Sequence, residues 1–416
     1  MKALPYATAL ETVLAHCAAL PAETVAFDAT AGRVLAASVR AAADDPPAPK
    51  SAMDGFALRA SDTQAATAQA PAAFRYEEVV GAGHVRTAAL PPGGAVRIMT
   101  GAWLPPGADA VAKQEDTHRL EDGRFALSAP LRAGENVIPR GGILRQGRLL
   151  LDAGSPVTPQ GLGLLAGQGR AGYAVHRRPR VGLVALGDEL VEPGRPLESG
   201  QLYVSNLYAL EALCARYGAE PRRLGIAGDD PERIEAIVRG ALGEDAGHPQ
   251  AACDVVLTLG GSHQGDFDFA DDVLARLGAR LHFRRTLINM GGSTLFATRG
   301  PTLFFGLPGT PMASWLAFEV LVRPALWKLA GRARLERPRL QALLAEGLAA
   351  RGGRTHFIPA RLDYGGEGAP RAEPLARGMP LALPPSVLAN ALIHWPAEAE
   401  ELPAGAPVPV ELLGED

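Results

Sequence analysis

Three loops in the second half of the sequence combine glycine, proline and carboxylate residues in a way that suits a phosphorylated ligand. The first is Gly187-Asp188-Glu189-Leu190, the second is Gly260-Gly261-Ser262-His263-Gln264-Gly265-Asp266, and the third is Pro308-Gly309-Thr310-Pro311. Adjacent glycines let backbone N–H groups approach an anion closely. Mg²⁺ binds through one or two carboxylates together with phosphate oxygens. The residues alone therefore predict an enzyme for a phosphorylated ligand, with Mg²⁺ as a candidate metal held by Asp188, Glu189, Asp266 or Asp268.

Each of these loops follows a short apolar run that has the length of a strand. The runs are VGLVAL at 181–186, CDVVLTL at 253–259 and TLFFGL at 302–307. Continuous apolar runs that alternate with helical periods indicate parallel strands buried on both faces. Ligands of such sheets bind beyond the carboxyl ends of the strands. We therefore expect an α/β domain whose site lies where the three loops converge.

Helical signals fill the connections between these runs. Ser205-Asn206 has the composition of an N-cap, and Gly218 is placed to end that helix. Asp229-Asp230-Pro231 opens a second helix, with a capping carboxylate and proline in the first turn. A third helix is expected to start near Phe267. Met312–Leu329 is predicted to be a long final helix that is perturbed at Pro324.

The rest of the chain surrounds this α/β domain with smaller elements. A Pro-rich linker at 44–49 marks a boundary, since prolines there exclude a helix. Short strands broken by glycine and proline predict a β-rich domain between 71 and 130. Beyond Gly331 the pattern predicts a small C-terminal β-barrel or sandwich. In the N-terminal part the predicted elements are a helix over 5–20 ended by Pro21, a strand at Thr24–Phe27, a helix-like segment at Arg33–Val39, and further on a short helix at Pro159–Leu165.

Composition and cysteine usage limit the class of protein. A chain of 416 residues is too long for one ordinary core, so two to four domains are expected. A net charge of −4 makes nucleic acid an unexpected partner. Cys17, Cys214 and Cys253 are scattered, which favours buried thiols in a reducing compartment over disulfides or structural zinc. The N-terminus has amphipathic rather than signal-peptide spacing, and no apolar run is long enough for a membrane span. We therefore expect a cytoplasmic protein.

Common catalytic motifs are missing from the sequence. It contains no Ser-His-Asp arrangement, Walker A loop or HExxH pattern. Gly161-x-Gly163 lacks a preceding buried strand, so a dinucleotide fingerprint is not expected there.

Several longer motifs resemble the molybdopterin molybdenumtransferase family, MoeA, which shares its fold with the E domain of gephyrin. Residues 51–57 (SAMDGFA) match the motif S-A-M-D-G-Y-A, and residues 97–111 match R-I-M-T-G-A-x-L-P-x-G-A-D-A-V. The three loops described above, together with Ser205-Asn206, match further family motifs in the same order. The resemblance covers almost the whole chain.

The resemblance implies an elongated, multidomain α/β plus β protein. Domain I would comprise 1–45 with 136–175, and domain II would be the β-rich insertion at 46–135. Domain III, at 176–330, would be the molybdopterin-binding α/β fold, and domain IV, at 331–416, the C-terminal β-barrel. Family members are homodimers whose site lies between domain III of one subunit and domain II of the other.

The same resemblance implies a reaction and a set of site residues. The enzyme would insert molybdate into adenylylated molybdopterin and release AMP, with Mg²⁺ as cofactor. Its partners would include the molybdopterin adenylyltransferase and apo molybdoenzymes. Asp54 and Thr100 would reach in from the partner subunit. Catalytic roles would fall to Asp54, Thr100, Glu189 and Asp266, metal binding to Asp188, Glu189 and Asp266, and substrate binding to Asp188, Ser205, Asn206, Gly260, Gly261, Ser262, Gly265, Asp268, Gly291, Pro308, Gly309 and Pro311.

The sequence departs from the family pattern at the anion-binding positions. Where K-P-G-K-P is usual, residues 289–293 read Asn-Met-Gly-Gly-Ser, so both lysines are replaced. The usual acidic residue of domain I is Gly142, its arginine is Ile138, His263 lies in the glycine-rich loop, and the asparagine of P-G-N-P is Thr310. Arg284, Arg285 or Arg299 could restore some positive charge.

These departures leave two alternatives beside the family reaction. One is a divergent paralogue that binds a pterin, a nucleotide or a partner protein without inserting metal. The other is an enzyme with a changed phosphorylated substrate, in which His263 acts as an acid or base.

Overall fold

The computed structural model describes residues 2–244, 252–261, 269–349, 352–365, 368–375 and 384–414. The chain forms two compact units. The first unit contains Met1–Ala37, Ala153–Leu162 and Ala171–Asp416. The second unit contains Ser38–Asp152 and Gly163–Arg170. No helix in the described ranges has the length and hydropathy that a membrane crossing requires.

The N-terminal part of the first unit contains helix α1 (Tyr6–Ala15) and strand β1 (Ala22–Ala26), followed by a short 3-10 turn. The predicted helix over 5–20 is therefore too long, and Pro21 does not end it. After the helix ends, the Leu20 N–H donates to the Leu329 carbonyl (2.8 Å), which holds the following extended segment against the core. The predicted helix at Arg33–Val39 is wrong, since Val34 and Leu35 form bridges to Pro156 and Val175 instead.

The second unit is built around a six-stranded sheet, and it confirms the predicted β-rich region. The sheet order is β7-β4-β6-β5-β9-β8, and two short ladders, β10-β3 and β11-β2, lie beside it. Phe56 and Phe125 stack in its core with ring centroids 3.8 Å apart. The strands are β2 (Val39–Arg40), β3 (Lys50–Ser51), β4 (Gly55–Leu58), β5 (Ala72–Val80), β6 (Gly94–Ile98), β7 (Ala110–Lys113), β8 (Thr117–Arg119), β9 (Phe125–Leu127), β10 (Val137–Ile138) and β11 (Leu149–Leu151).

Helix α2 (Pro159–Ala166) and strand β12 (Gly172–His176) lead into the α/β part of the first unit. Its six-stranded sheet has the order β16-β13-β17-β20-β19-β18. The strands β13, β17 and β20 are parallel, as the apolar runs predicted, and β16 joins them in the same direction. Strand β19 runs antiparallel to both of its neighbours, β20 and β18. The elements are β13 (Arg180–Ala185), β14 (Leu190–Val191), β15 (Leu202–Tyr203), α3 (Ser205–Arg216), β16 (Glu220–Ile226), α4 (Pro231–Ala241), β17 (Val255–Leu259), α5 (Phe269–Arg276), β18 (Arg280–Phe283), β19 (Leu295–Arg299) and β20 (Thr302–Leu307).

The last helical segment of the α/β part changes its hydrogen-bond pattern midway. Helix α6 (Pro311–Ala317) passes through a π-turn at Phe318–Val322 into helix α7 (Arg323–Leu329). Pro324 has no N–H and its ring crowds the preceding turn, so a local widening there is expected. The predicted perturbation at Pro324 is confirmed. All three cysteines are buried and free, as predicted.

The C-terminal part closes into a barrel with the order β21-β24-β23-β25-β27. Its apolar core includes Leu344, Ile393 and Trp395. The prediction of a small C-terminal barrel is therefore confirmed. The elements are β21 (Arg339–Leu344), β22 (Leu348–Ala349), β23 (His356–Asp363), β24 (Arg371–Pro374), α8 (Pro384–Leu388), β25 (Ala391–Trp395), β26 (Glu401–Leu402) and β27 (Pro407–Leu412).

Candidate functional site

The carboxyl ends of β13, β17 and β20 lie side by side in the first unit. Ala185, Leu259 and Leu307 stand in register across the three parallel strands. The ladder continues one residue further, since the Leu186 N–H donates to the Leu259 carbonyl (2.9 Å) and the Gly260 N–H to the Leu307 carbonyl (3.0 Å). The three predicted loops therefore do start from one edge of the sheet.

Gly260 and Gly261 are required where the loops meet. Both have positive φ (+98° and +67°), and a Cβ on Gly260 would lie 2.6 Å from the Leu186 carbonyl oxygen. The Gly260 N–H is used by the sheet, so it cannot donate to a ligand as the sequence suggested. The Gly261 N–H makes no hydrogen bond with any residue in the described ranges. Of this pair, Gly261 is the available donor.

Asn206 fixes the position of the Pro308-Gly309 loop. Its side chain is buried, and its Nδ2 donates to the Gly309 carbonyl at 3.0 Å. The predicted capping role of Ser205-Asn206 is wrong, because α3 begins at Ser205 itself and no side chain caps this end. The amide of Asn206 serves a long-range loop contact instead. Ser205 is exposed at the first position of the helix.

Asp188 and Glu189 are exposed directly after β13. Asp188 Oδ1 accepts a hydrogen bond from the Asp229 N–H at 3.1 Å. A Cβ at Gly228 would lie 2.6 Å from that same oxygen, so glycine is needed for this contact. Asp188 lines an open groove of about 630 Å³ that also holds Glu192 and two arginines, Arg195 and Arg233. Two adjacent, exposed carboxylates remain available to a ligand.

The donor set of Asp188 and Glu189 is small but suits Mg²⁺. Within the described ranges no group of three or more His, Cys, Asp or Glu side chains could hold a metal ion. Mg²⁺ keeps several waters and needs only one or two carboxylates beside substrate phosphates. The Asp188–Glu189 pair fits that requirement. Ser262, His263, Gly265, Asp266 and Asp268 lie outside the described residues.

A second pocket, of about 540 Å³, adjoins the Pro308-Gly309 loop and is lined by residues 290–293 of the divergent segment 289–293. Two cations line it, Arg285 and Arg354. The neighbouring residue Thr355 accepts from the Asn289 N–H and donates to the Leu287 carbonyl (both 2.9 Å). This pairing brings the barrel's Arg354 to the loop of the α/β sheet.

Helix α6 presents its N-terminus to the same pocket. Pro308, Thr310 and Ala313 line the pocket, and α6 has Thr310 as its N-cap residue without a side-chain cap, followed by Pro311. The first turn of a helix carries unsatisfied N–H groups and a partial positive charge. An uncapped helix end that lines one pocket with two arginines is suited to an oxyanion.

The three arginines proposed to replace the lost lysines differ in their surroundings. Arg285 lines the pocket, whereas Arg299 is paired with Glu244 (Nη1–Oε1 2.5 Å) and Arg284 is not among the lining residues. Arg354 was not anticipated, because no sequence pattern links it to residues 289–293. Gly291 is buried in the loop, and a Cβ on Gly292 would meet the Thr286 and Ile288 carbonyl oxygens at 3.0 and 3.1 Å. The positive charge of the pocket therefore comes from Arg285 and Arg354 and not from residues 289–293.

In the second unit, Asp54 and Thr100 form a hydrogen-bonded pair. The backbone N–H and the Oγ1 of Thr100 both donate to Asp54 Oδ1, each at 2.7 Å. The Thr100 hydroxyl, followed by its N–H, lowers the pKa of the Asp54 carboxyl below its ordinary value. Both side chains are exposed. The two sequence motifs are thus joined into one ionised, preorganised carboxylate.

Two positions in the second unit, Gly55 and Gly142, leave no room for a side chain. A Cβ on Gly55 would lie 1.9 Å from the Ala112 carbonyl oxygen, so the turn after Asp54 requires glycine. At Gly142, where an acidic residue is usual, a Cβ would meet the Pro139 carbonyl oxygen at 2.8 Å. The backbone here has closed onto the space that a side chain would occupy.

Comparison with known proteins matches nearly the whole chain. Residues 4–169 match the MoeA N-terminal region (domains I and II), residues 182–328 a probable molybdopterin-binding domain, and residues 341–413 the MoeA C-terminal region (domain IV). A molybdopterin molybdenumtransferase of Bacillus subtilis is 34% identical over 402 residues, which is 95% of this chain and 90% of the relative. One from a Nostoc species is 37% identical over 315 residues, 75% of this chain and 70% of the relative.

Solved structures give the same result for the fold. The crystal structure of a molybdopterin biosynthesis MoeA protein from Pyrococcus horikoshii superposes with a TM-score of 0.81 at 30% identity and covers 99% of each chain.

Proposed function

The chain belongs to the MoeA family of molybdopterin molybdenumtransferases, and we propose that it inserts molybdate into adenylylated molybdopterin and releases AMP in an Mg²⁺-dependent reaction. It thus acts in molybdenum cofactor biosynthesis. The residues that would bind the pterin and its phosphates surround the strand-end loops, from Asp188 and Asn206 to Gly261 and Gly309. Ser262, Gly265, Asp266 and Asp268, by the family resemblance, would complete this set.

The observation that carries the proposal is the pocket formed by Arg285, Arg354 and the uncapped N-terminus of α6. Molybdate is a compact dianion, and it needs cationic or N–H donors in place of its water shell. The lysines that are usual in this family are absent, yet two guanidinium groups and a helix end stand beside the same loop. The pocket adjoins Pro308, whose loop Asn206 ties to the carboxyl edge of the sheet. The oxyanion would therefore lie next to the bound pterin.

Asp188 and Glu189 would hold Mg²⁺, which would neutralise charge on the substrate's phosphates. Asp266 would join them, as the family resemblance implies. The Asp188 carboxylate is oriented by the Asp229 N–H, so its second oxygen stays available. Because neither side chain has to be moved from a buried position, the site can bind the ion without rearranging the core.

We propose further that Asp54 and Thr100 act at the site of a partner subunit in a homodimer. Two inactive variants, Asp54→Ala and Glu189→Ala, test this when they are mixed after dissociation. If the site is shared, each heterodimer keeps one intact site, and a randomly re-associated mixture recovers about a quarter of wild-type activity. No recovery in mixtures that contain heterodimers would refute the shared site.

The reaction itself is tested by mixing purified protein with adenylylated molybdopterin, Mg²⁺ and molybdate. AMP release and reconstitution of an apo molybdoenzyme are measured together, and both are expected. The molybdopterin adenylyltransferase, a proposed partner, can supply the substrate in a coupled assay. Ligand binding without AMP release would instead favour a binding paralogue, and failure to bind would contradict both functions.

Arg354→Ala isolates the contribution of the pocket. Losing a charge-assisted hydrogen bond costs about 1.5–3 kcal/mol, and the lower end is expected for an exposed side chain, so the KM for molybdate should rise about tenfold. Arg361→Ala is the matched control, because Arg361 is exposed on the same barrel and does not line the pocket. Equal effects of the two substitutions would show that Arg354 does not bind the oxyanion.

A further inference from the structure

A separate cavity of about 310 Å³ lies in the first unit at the amino end of β13. The strand-end loops described above lie at the opposite end of that strand, which has six residues and spans about 20 Å. The cavity is therefore distinct from the proposed molybdopterin site. It is lined by the segments 32–34, 156–159, 176–178 and 215–218, together with Ala330 and Arg332.

The lining of this cavity is unusually basic. It contains five arginines and a histidine, drawn from four different segments of the chain: Arg33, Arg177, Arg178, Arg216, Arg332 and His176.

Two of these arginines have a local reason to be there. Arg216 ends α3 and lies over the Tyr217 ring, with its guanidinium carbon 5.8 Å from the centroid. Arg332 follows α7 and lies 4.1 Å from the Trp327 ring centroid. The C-terminus of a helix carries about half a negative charge, so the helix dipole favours cations there. These contacts account for Arg216 and Arg332 without a ligand.

Arg33, Arg177 and Arg178 are not explained by helix ends, because they lie in loop segments. Arg177 binds Asp254 with both Nη atoms (2.7 and 2.9 Å), and Arg33 is paired with Glu23. Each of these two charges is thus compensated once.

Unsatisfied donor capacity remains in this trio. The Arg33 side chain is only 10% exposed, and its Nε is buried with no hydrogen-bond partner among the residues that the structure describes. The half-buried Arg178 guanidinium makes no hydrogen bond or ion pair within the described ranges. Glu23 and Asp254 offset the charges of Arg33 and Arg177, so the charge left without a carboxylate partner is that of Arg178. The donors left over point to an anion.

The N-terminus of α2 adds a further favourable feature. Thr158 and Pro159 line the cavity at the start of this eight-residue helix. Thr158 Oγ1 already accepts from the Gly161 N–H at 3.1 Å, so the hydroxyl proton is free to donate elsewhere. The positive end of the helix adds to the potential that Arg33, Arg177 and Arg178 create.

We propose that this cavity binds a small phosphorylated anion, with Arg33, Arg177 and Arg178 as its principal contacts. The planar guanidinium fork matches phosphate oxygens in two-bonded geometry, which a lysine cannot do. A volume of about 310 Å³ is large enough for a phosphate or pyrophosphate group. The site is independent of the proposed transferase reaction.

Calorimetric titration of the full-length protein with pyrophosphate, at low and moderate salt, tests the proposal. Inorganic phosphate and AMP in parallel titrations distinguish a free oxyanion from a phosphate ester. Wild-type protein is expected to bind pyrophosphate with an affinity that falls as salt rises. Arg178→Ala is expected to weaken binding at least about tenfold, as a lost charge-assisted contact requires. Arg178→Lys keeps the charge but not the fork, so it should recover only part of the affinity.

Two controls keep the result interpretable. Arg180→Ala removes an arginine two positions away that does not line the cavity, and it should change the affinity less than twofold. Arg354→Ala removes a cation of the other pocket, and binding at the proposed site should survive it. Equal affinity of Arg178→Ala and wild type, with both folded by circular dichroism, would overturn the proposal. So would loss of binding in Arg354→Ala but not in Arg178→Ala.

Discussion

Replacing Glu411 by Gln tests the buried charge cluster that joins the barrel to the helical segment whose N-terminus lines the proposed oxyanion pocket. Glu411 is 5% exposed. Its Oε1 lies 3.2 Å from Arg323 Nη2 and 3.6 Å from Arg337 Nη1, and its Oε2 lies 3.2 Å from His394 Nε2. Glu319 Oε2 completes the cluster at 2.9 Å from Arg337 Nη1. The substitution keeps the shape of the side chain and removes its charge.

The magnitude follows from the pKa of Glu411. Burial opposes its ionisation, but the adjacent His394 imidazole and the charges of Arg323 and Arg337 outweigh burial and hold the pKa at about 2, against an ordinary 4.5. That difference corresponds to about 3 kcal/mol of folding stability at neutral pH. Because the folded-state pKa is the lower one, this stability is present above pH 4.5 and is lost as the pH falls towards 2. About half of it should remain near pH 3.

Urea denaturation followed by tryptophan fluorescence and circular dichroism measures this effect. At pH 7, Glu411→Gln should lower the free energy of unfolding by about 3 kcal/mol, in the range for breaking a buried pair from one side. At pH 3 the difference from wild type should shrink to about half. Glu373→Gln is the control, since Glu373 is exposed on another strand of the same barrel, β24, and its effect should be small at both pH values.

A difference between wild type and Glu411→Gln that stays constant between pH 7 and pH 3 would refute the reasoning. It would mean that the loss arises from the shape or packing of the amide and not from the missing charge. A difference that grows on acidification would reverse the sign of the linkage and would require a raised pKa for Glu411.

Three further substitutions address the site itself. Asn206→Ala removes the hydrogen bond to the Gly309 carbonyl and should cost about 1 kcal/mol in stability, which thermal unfolding measures. It should also lower kcat/KM for the pterin substrate by more than that stability loss explains, which steady-state kinetics measure. Thr100→Val should raise the pKa of Asp54 towards its ordinary value while the backbone N–H keeps part of the effect, which a carboxyl NMR titration measures; an unchanged pKa would contradict the hydroxyl's role. Gly55→Ala places a Cβ 1.9 Å from a carbonyl oxygen of the neighbouring strand, so the second unit should unfold at a lower temperature; an unchanged melting temperature would contradict this geometry.

The sequence by itself determined the features that depend on near neighbours. The apolar runs at 181–186, 253–259 and 302–307 form three adjacent parallel strands, because a continuous apolar run is typical of a strand that is buried on both faces of a sheet. Asp230 caps α4 through bonds from the Glu232 and Arg233 N–H groups, since capping acts within a few residues. Pro324 marked the irregular turn for the same reason.

Only the tertiary structure decided which polar groups face each loop. Arg354 reaches residues 289–293 because Thr355 pairs with Asn289 across 66 positions of sequence, and nothing local records that pairing. Asn206 was predicted to cap a helix, but its side chain donates a hydrogen bond to the carbonyl of Gly309, 103 residues away. The Gly260 N–H, which reads as a ligand donor, is taken by β20. In each case the partner is far away in the sequence, and burial and backbone pairing of whole strands bring the two groups together, which no local pattern records.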